Sequence, residues 1–115
     1  MTLAAQMART VTIDIAKDFS AEPFGRYAAH GPASGEVFRA RLERYIRDGS
    51  HVLVDIDGVT GLSSSFLDEA FAGLVRHGCS RQLTFGMSFR SSPSGTQAIL
   101  TTLKYMSARR PRIEQ

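Results

Sequence analysis

Two aspartates and three serines stand close together in the middle of this chain, and both residue types can carry phosphoryl chemistry. Asp55 and Asp57 end an apolar run, and Ser63, Ser64 and Ser65 follow the glycine-containing stretch after them. Paired carboxylates can hold a magnesium ion for aspartate-based phosphoryl transfer. An exposed serine can instead accept a regulatory phosphate. The functional question is a choice between these two chemistries.

The sequence lacks the other residues that aspartate-based phosphoryl transfer requires. The segment around the two aspartates resembles the first motif of the haloacid-dehalogenase-like phosphatases, which implies a nucleophile at Asp55 and a general acid at Asp57. Magnesium requires further carboxylates, but no Asp follows Asp68, and the only acidic residue after Glu69 is Glu114. We therefore expect no catalytic residues and no metal. We expect the two aspartates to accept hydrogen bonds from nearby backbone donors.

The three serines begin a predicted helix. After them, apolar residues recur at helical spacing up to about His77, and Asp68 and Glu69 fall in the first turn, where negative charge suits the helix dipole. One serine is expected to cap the helix by accepting a hydrogen bond from a backbone N–H. The other hydroxyls then have no structural task, so the cluster remains a candidate for modification.

A serine hydrolase is a further reading, and the sequence disfavours it. Residues 61–65 approach the Gly-x-Ser-x-Gly nucleophile motif, but their last position is Ser65. His30, His51 and His77 are candidate bases, and no sequence feature pairs any of them with a serine. We therefore predict that the protein is not an enzyme and uses no cofactor.

The rest of the chain supplies the elements that position these residues. In chain order, the predicted elements are a strand over residues 10–16, a helix over 35–47 capped by Ser34, a central strand over 52–57, a helix over about 64–77, a strand over 82–89 and a helix over 96–107. This order predicts an α/β fold, a single domain with a small, mostly parallel or mixed sheet of about three or four strands and three helices. The central apolar run is typical of a strand covered on both faces.

Two expectations concern the helix over residues 35–47. Tyr45 is one of the apolar residues, with Phe38, Leu42 and Ile46, that helical spacing places on the inward side. Arg39 is one of the charged residues that alternate in sign along the helix. Such alternation is typical of a solvated face, so we expect Arg39 to be exposed.

The segment 17–33 is long for a connection inside a compact domain, and loops of that length are often functional. We expect Phe19 and Phe24 to pack on the core. Arg26 and Tyr27 are candidates for an interaction or anion site, because a guanidinium suits phosphate and carboxylate groups.

Composition limits the class of protein. The chain has 115 residues, a net charge of +3 and one cysteine, Cys79. It shows no signal-peptide pattern and no stretch long enough for a membrane span, and no basic motif with interleaved aromatics. We therefore expect a cytoplasmic protein that binds neither nucleic acid nor membrane.

Several segments carry a resemblance to a bacterial family of STAS-like domains of unknown function. They include Ile-Ala-Lys-Asp-Phe-Ser at 15–20, Gly-Arg-Tyr at 25–27, Val-Asp-Ile-Asp-Gly-Val at 54–59 and Ser-Ser-Phe-Leu-Asp-Glu-Ala-Phe at 64–71. The resemblance implies an N-terminal extension over residues 1–9, a STAS-like domain over 10–107 and a basic C-terminal tail over 108–115. Its fold would be STAS-like.

Through that family, the chain is similar to the anti-sigma-factor antagonists, in which a kinase of the histidine-kinase-like ATPase fold phosphorylates a serine at the same junction. The similarity implies a phosphoacceptor at Ser64, a protein partner of the kinase class and a role in bacterial signalling. Ser63 replaces the acidic residue of that motif, and Phe66 replaces its glycine.

Two functions from different classes follow. The first is a non-catalytic protein-interaction and regulatory module, switched by phosphorylation of Ser64. The alternative is a module for a nucleotide or another small anion, using the Arg26 loop and the helix start at Ser63–Ser65. The interaction or anion-site candidates are Asp57, Gly58, Ser63, Ser65, Asp68, Arg26 and Tyr27. The sequence leaves the oligomeric state open.

Overall fold

The computed structural model describes residues 9–108, which form three parallel strands and four helices. The elements are β1 (Thr10–Asp14), α1 (Gly35–Arg47), β2 (His51–Asp55), α2 (residues 64–76), α3 (Arg81–Phe85), β3 (Ser88–Arg90) and α4 (Thr96–Ala108). Within α2, the turns Ser64–Leu67 and Gly73–Arg76 flank a π-helical segment, Asp68–Ala72. The predicted extension and tail lie outside the described residues, apart from Arg9 and Ala108.

The sheet has the strand order β1-β2-β3, and both neighbouring pairs are parallel. Val54 of β2 is level with Ile13 on one side and with Phe89 on the other. The predicted α/β class, the parallel pairing and the central position of β2 are therefore confirmed.

Aromatic rings join the helices to one face of the sheet. Phe38 of α1 lies next to Phe66 and Phe71 of α2, with both pairs of ring centroids 5.9 Å apart. Phe71 in turn contacts Phe89 of β3 at 5.4 Å. Phe38, Phe66 and Phe71 are fully buried, so the core lies between α1, α2 and the sheet.

The other face of β2 is only half-buried, so the expectation that both faces are covered is wrong. Its residues His51, Leu53 and Asp55 alternate with the buried Val52 and Val54. The polar ones have partners on β3: His51 Nε2 lies 3.0 Å from the hydroxyl of Ser88, and Arg90 Nε donates to Asp55 at 3.1 Å. These side-chain pairs along the ladder satisfy the polar groups of His51 and Asp55.

Helix α1 begins and ends where the sequence predicts. Ser34 caps it, because its hydroxyl accepts from the backbone N–H of Val37 at 3.3 Å. A Cβ atom at Gly35 would lie 2.8 Å from the carbonyl oxygen of Phe66 and 2.9 Å from Cβ of Glu69. The absence of a side chain at Gly35 therefore lets α1 approach α2 closely.

All three predicted strands differ in extent from the observed ones, and the central strand, predicted over 52–57, is β2 at His51–Asp55. The first ends at Asp14, because the chain turns into a π-helical segment, Ile15–Phe19, where the Asp14 side chain accepts from Lys17 N at 3.1 Å. The predicted strand over 82–89 is wrong for its first half, since Ser80 caps α3 by accepting from Leu83 N at 3.2 Å. Alternating apolar residues there span a short helix and the three residues of β3.

Two aromatic side chains also lie elsewhere than predicted. Phe24 is 70% exposed and Tyr45 is exposed, although both were expected on the core. Phe19 packs against Phe38 as expected, with 4.9 Å between ring centroids.

Cys79 is buried, and burial raises the pKa of its thiol. None of the helices in residues 9–108 combines the length and hydrophobicity of a membrane crossing.

Candidate functional site

The serine turn (Ser63, Ser64 and Ser65) begins α2, and its three hydroxyls differ in what they contact. Ser63 is the cap: its Oγ accepts from the backbone N–H of Phe66 at 3.2 Å, and it lies 3.2 Å from Oγ of Ser65. The Ser64 side chain is exposed, and its hydroxyl forms no hydrogen bond with the described part of the chain. Of the three, Ser64 has the hydroxyl without a structural task.

The different tasks of the serines can be measured. We expect Ser63→Ala to lower the free energy of unfolding by about 1 kcal/mol, because the first turn of α2 loses its cap. Ser64→Ala is the matched control, and we expect it to change stability by less than about 0.5 kcal/mol. Urea unfolding followed by circular dichroism compares the two. Equal effects would contradict the assignment of the cap to Ser63.

The carboxylates of Asp55 and Asp57 accept hydrogen bonds from backbone N–H groups, as predicted. Asp55 accepts from the N–H of Asp57 at 3.0 Å, and Asp57 accepts from the N–H of Ser92 at 2.8 and 2.9 Å and from its hydroxyl at 3.1 Å. These bonds tie the turn after β2 to the loop after β3. Among residues 9–108, no three His, Cys, Asp or Glu side chains are grouped so that they could hold a metal ion.

The loop that carries Arg26 is fixed to the start of α1. Backbone hydrogen bonds of 2.9 Å join Phe24 N to Ala33 O and Gly35 N to Gly25 O, and a third of the same length joins Glu36 N to Arg26 O. Gly25 has a φ of +88°, a conformation that favours glycine. The loop is therefore held in place by its backbone, and Arg26 and Tyr27 project from it.

Arg26 crosses to α2 and binds two carboxylates. Its Nη1 donates to Asp68 at 2.6 Å and to Glu69 at 3.4 Å. The hydrogen bond to Asp68 raises the pKa of the Arg26 guanidinium above its ordinary value, more than burial lowers it. Arg26 thus meets the carboxylates that follow the serine turn.

These contacts belong to an ion-pair network that sequence reasoning missed. It joins Arg26, Arg39, Arg47 and Arg76 to Glu43, Asp68 and Glu69. Arg39 binds Glu69 across the two helices, and both are buried, so the expectation that Arg39 is solvated is wrong. Arg39 lies directly beside Phe38 on α1, and Glu69 lies directly before Ala70 on α2. The sequence did contain one signal of this network: a charged residue at the edge of the apolar face of each helix.

The interaction and anion-site candidates line three different clefts. The apolar cleft, of about 450 Å³, is lined by the loop from Pro23 to Tyr27, by His30, and by Ser63 and Ser65. The charged cleft, of about 440 Å³, is lined by Arg26, Tyr27, Asp68, Glu69, Arg76 and His77. Asp57 and Gly58 line a third cleft with Ser92. The structure thus brings Arg26 and Tyr27 together with Ser63, Ser65 and Asp68, and places Asp57 and Gly58 apart from them.

A family model described as a STAS-like domain of unknown function matches residues 34–92, just over half of the chain. The matched segment includes α1, β2, the serine turn, α2, α3 and β3. The match confirms the resemblance inferred from the sequence. No curated protein and no solved structure matches the chain.

Proposed function

Because this chain belongs to the family of STAS-like domains of unknown function, we propose that it is a non-catalytic regulatory module. In this proposal the serine turn and the adjoining surface of α2 bind a protein partner, and phosphorylation of Ser64 ends the binding. The observation that carries it is the exposed Ser64 hydroxyl at the start of α2, which forms no hydrogen bond with the described chain.

The hydrogen bonds of the candidate catalytic side chains support a non-catalytic role. The carboxylates of Asp55 and Asp57 hold backbone N–H groups, and Asp55 also pairs with Arg90. Among the described residues, no histidine bonds the serine turn: His30 Nδ1 accepts from Tyr27 N at 3.1 Å, and His51 bonds Ser88. A binding module needs none of these groups for chemistry.

Local electrostatics would operate the switch. A phosphate adds nearly two negative charges at pH 7, and Ser64 stands at a helix N-terminus, which tolerates an anion. The fold therefore survives phosphorylation. Inside an interface the same charges lose their hydration, which costs binding free energy. A penalty of about 3 kcal/mol lowers affinity by about a hundredfold.

The kinase class follows from the similarity to the anti-sigma-factor antagonists. A serine kinase of the histidine-kinase-like ATPase fold would be both the partner of the unmodified protein and the enzyme that modifies it. The switch then needs no catalytic residue in this chain.

Affinity capture from lysate of the source cells tests the switch. Wild type, Ser64→Ala and Ser64→Asp serve as baits, bound proteins are identified by mass spectrometry, and the affinity of the purified partner is then measured. We expect wild type and Ser64→Ala to capture an ATPase-fold kinase, and Ser64→Asp to bind it about a hundredfold more weakly.

Ser107→Asp is the matched control, because it adds the same charge at an exposed position on α4. It should bind like wild type. Identical partners and affinities for Ser64→Ala and Ser64→Asp would refute the role of Ser64. ATP-dependent labelling that disappears in Ser64→Ala would identify the modified residue.

The second candidate, a small-anion module, has one observation in its favour: Arg26, Ser63 and Ser65 line the same cleft. If it is right, inorganic phosphate or ATP raises the Tm of purified wild type and leaves that of Arg26→Lys unchanged. The existing bonds of Arg26 to two carboxylates favour the interaction module instead.

A further inference from the structure

We propose that the apolar cleft and the charged cleft together form one binding surface, which takes a segment of a partner protein carrying an apolar side chain close to a carboxylate. This inference rests on the proposed function for the existence of a protein partner, and it adds the chemistry of the segment that binds. It makes no use of Ser64.

The apolar half of the surface consists of aromatic side chains that are exposed to solvent. Phe24 is 70% exposed and Tyr27 is 50% exposed, although both lie in the loop whose backbone is bonded to the start of α1. Pro23, which lines the same cleft, is buried. Because backbone bonds on both sides fix the loop, the two rings cannot simply fold onto the core. Aromatic side chains presented on a fixed loop beside a cleft are typical anchors of protein interfaces.

The charged half presents cations outward. In the ion-pair network, the side chains of Asp68 and Glu69 are only 5% and 9% exposed, whereas those of Arg26 and Arg76 are 30% and 32% exposed. The carboxylates therefore form the floor of the cleft, and the arginines form the rim that a partner meets. Charge complementarity favours an acidic group on that partner.

Arg26 also retains donors for such a group. It uses Nη1 alone to bind Asp68 and Glu69, so its Nη2 and Nε donate to no other described residue. A guanidinium can bind a carboxylate through two parallel N–H groups. Arg26 can accordingly bind a partner carboxylate on its outer side without giving up its carboxylates on α2.

The two halves adjoin because Arg26 and Tyr27 line both clefts. A segment lying across this dipeptide would place an apolar side chain against Phe24 and an acidic side chain at the rim formed by Arg26 and Arg76. The same arrangement disfavours a basic segment, which would meet the exposed arginines.

Selection from a phage-displayed library of random peptides tests the surface, with the purified full chain as bait. We expect the enriched peptides to share an apolar residue close to Asp or Glu. Fluorescence polarisation then measures one synthetic peptide from the selection. We expect Phe24→Ala to weaken its binding by on the order of tenfold, and replacement of its acidic residue by the corresponding amide to weaken it by a similar factor.

Leu100→Ala is the matched control, since Leu100 is also a large exposed apolar residue but lies on α4. It should bind the peptide like wild type. Enriched peptides without acidic residues would overturn the proposal, as would peptides that bind Phe24→Ala and wild type equally. A dimer of wild type in light scattering that dissociates in Phe24→Ala would also overturn it, because the occupant would then be a second copy of this chain.

The failure of this inference can be told apart from the failure of the Ser64 switch. If the peptide binds wild type and Ser64→Asp equally and still requires Phe24, the surface is supported and the switch fails. If Ser64→Asp loses the captured partner while Phe24→Ala binds it with unchanged affinity, the switch is supported and this surface is overturned.

Discussion

Replacing Glu69 with glutamine is expected to lower the free energy of unfolding by about 3 kcal/mol, because the buried guanidinium of Arg39 loses one of its two carboxylate partners. Glu69 accepts from Arg39 between α1 and α2, and it also binds Arg26 and Arg76. Of these arginines, Arg39 is the buried one. Glutamine has nearly the volume of glutamate, so the change removes charge without opening a cavity. The remaining pair of Arg39 with Glu43 keeps the loss at the low end of the range for broken buried pairs.

Asp48→Asn is the matched control for Glu69→Gln. Asp48 pairs with Arg9, and both side chains are mostly exposed. A surface pair contributes at most about 1 kcal/mol, so this variant should unfold close to wild type. Urea unfolding measures both changes. A double replacement, Arg39→Met with Glu69→Leu, should recover much of the loss, because no buried charge then remains unpaired at this position. Equal stability of Glu69→Gln and wild type would show that the network does not stabilise the fold.

Phe38→Ala should cost more than any other change considered, about 3–5 kcal/mol. The ring is fully buried, and its neighbours are Phe19 at 4.9 Å and Phe66 and Phe71 at 5.9 Å between centroids. Alanine removes the apolar contacts of a whole phenyl ring and leaves a cavity where the segment Ile15–Phe19, α1 and α2 come together. Thermal and urea unfolding should both report the loss.

Phe24→Ala is the matched control for Phe38→Ala, because the residue type and the substitution are the same and only the burial differs. Because most of the Phe24 side chain is exposed, its truncation removes few contacts. We expect the free energy of unfolding to change by less than about 0.5 kcal/mol. A cost comparable with that of Phe38→Ala would contradict the exposed position of Phe24. A stable Phe24→Ala variant also allows its loss of peptide binding to be read as a loss of contact.

The sequence alone determined the features that depend on residues close together in the chain. Ser34 and the helical spacing after it predict the full extent of α1, and three successive serines predict a cap at the start of α2. The alternation of strands and helices predicts parallel strands, and the apolar run over residues 52–57 predicts the central position of β2. The extent of α1 and the two caps result from hydrogen bonds and periodicity within about one or two helical turns. The same local segments carry the family resemblance.

Tertiary structure decided the contacts between residues that are distant in the chain. Arg39 and Glu69 are 30 positions apart, and Arg26 and Asp68 are 42 apart, so no local pattern says that these charges meet. Helical periodicity sets the face of each residue, but the packing of α1 on α2 decides whether a charge at the edge of that face is solvated or buried. The exposure of Phe24 has the same origin: the backbone bonds that join its loop to the start of α1 fix the ring on the outside, beside the serine turn.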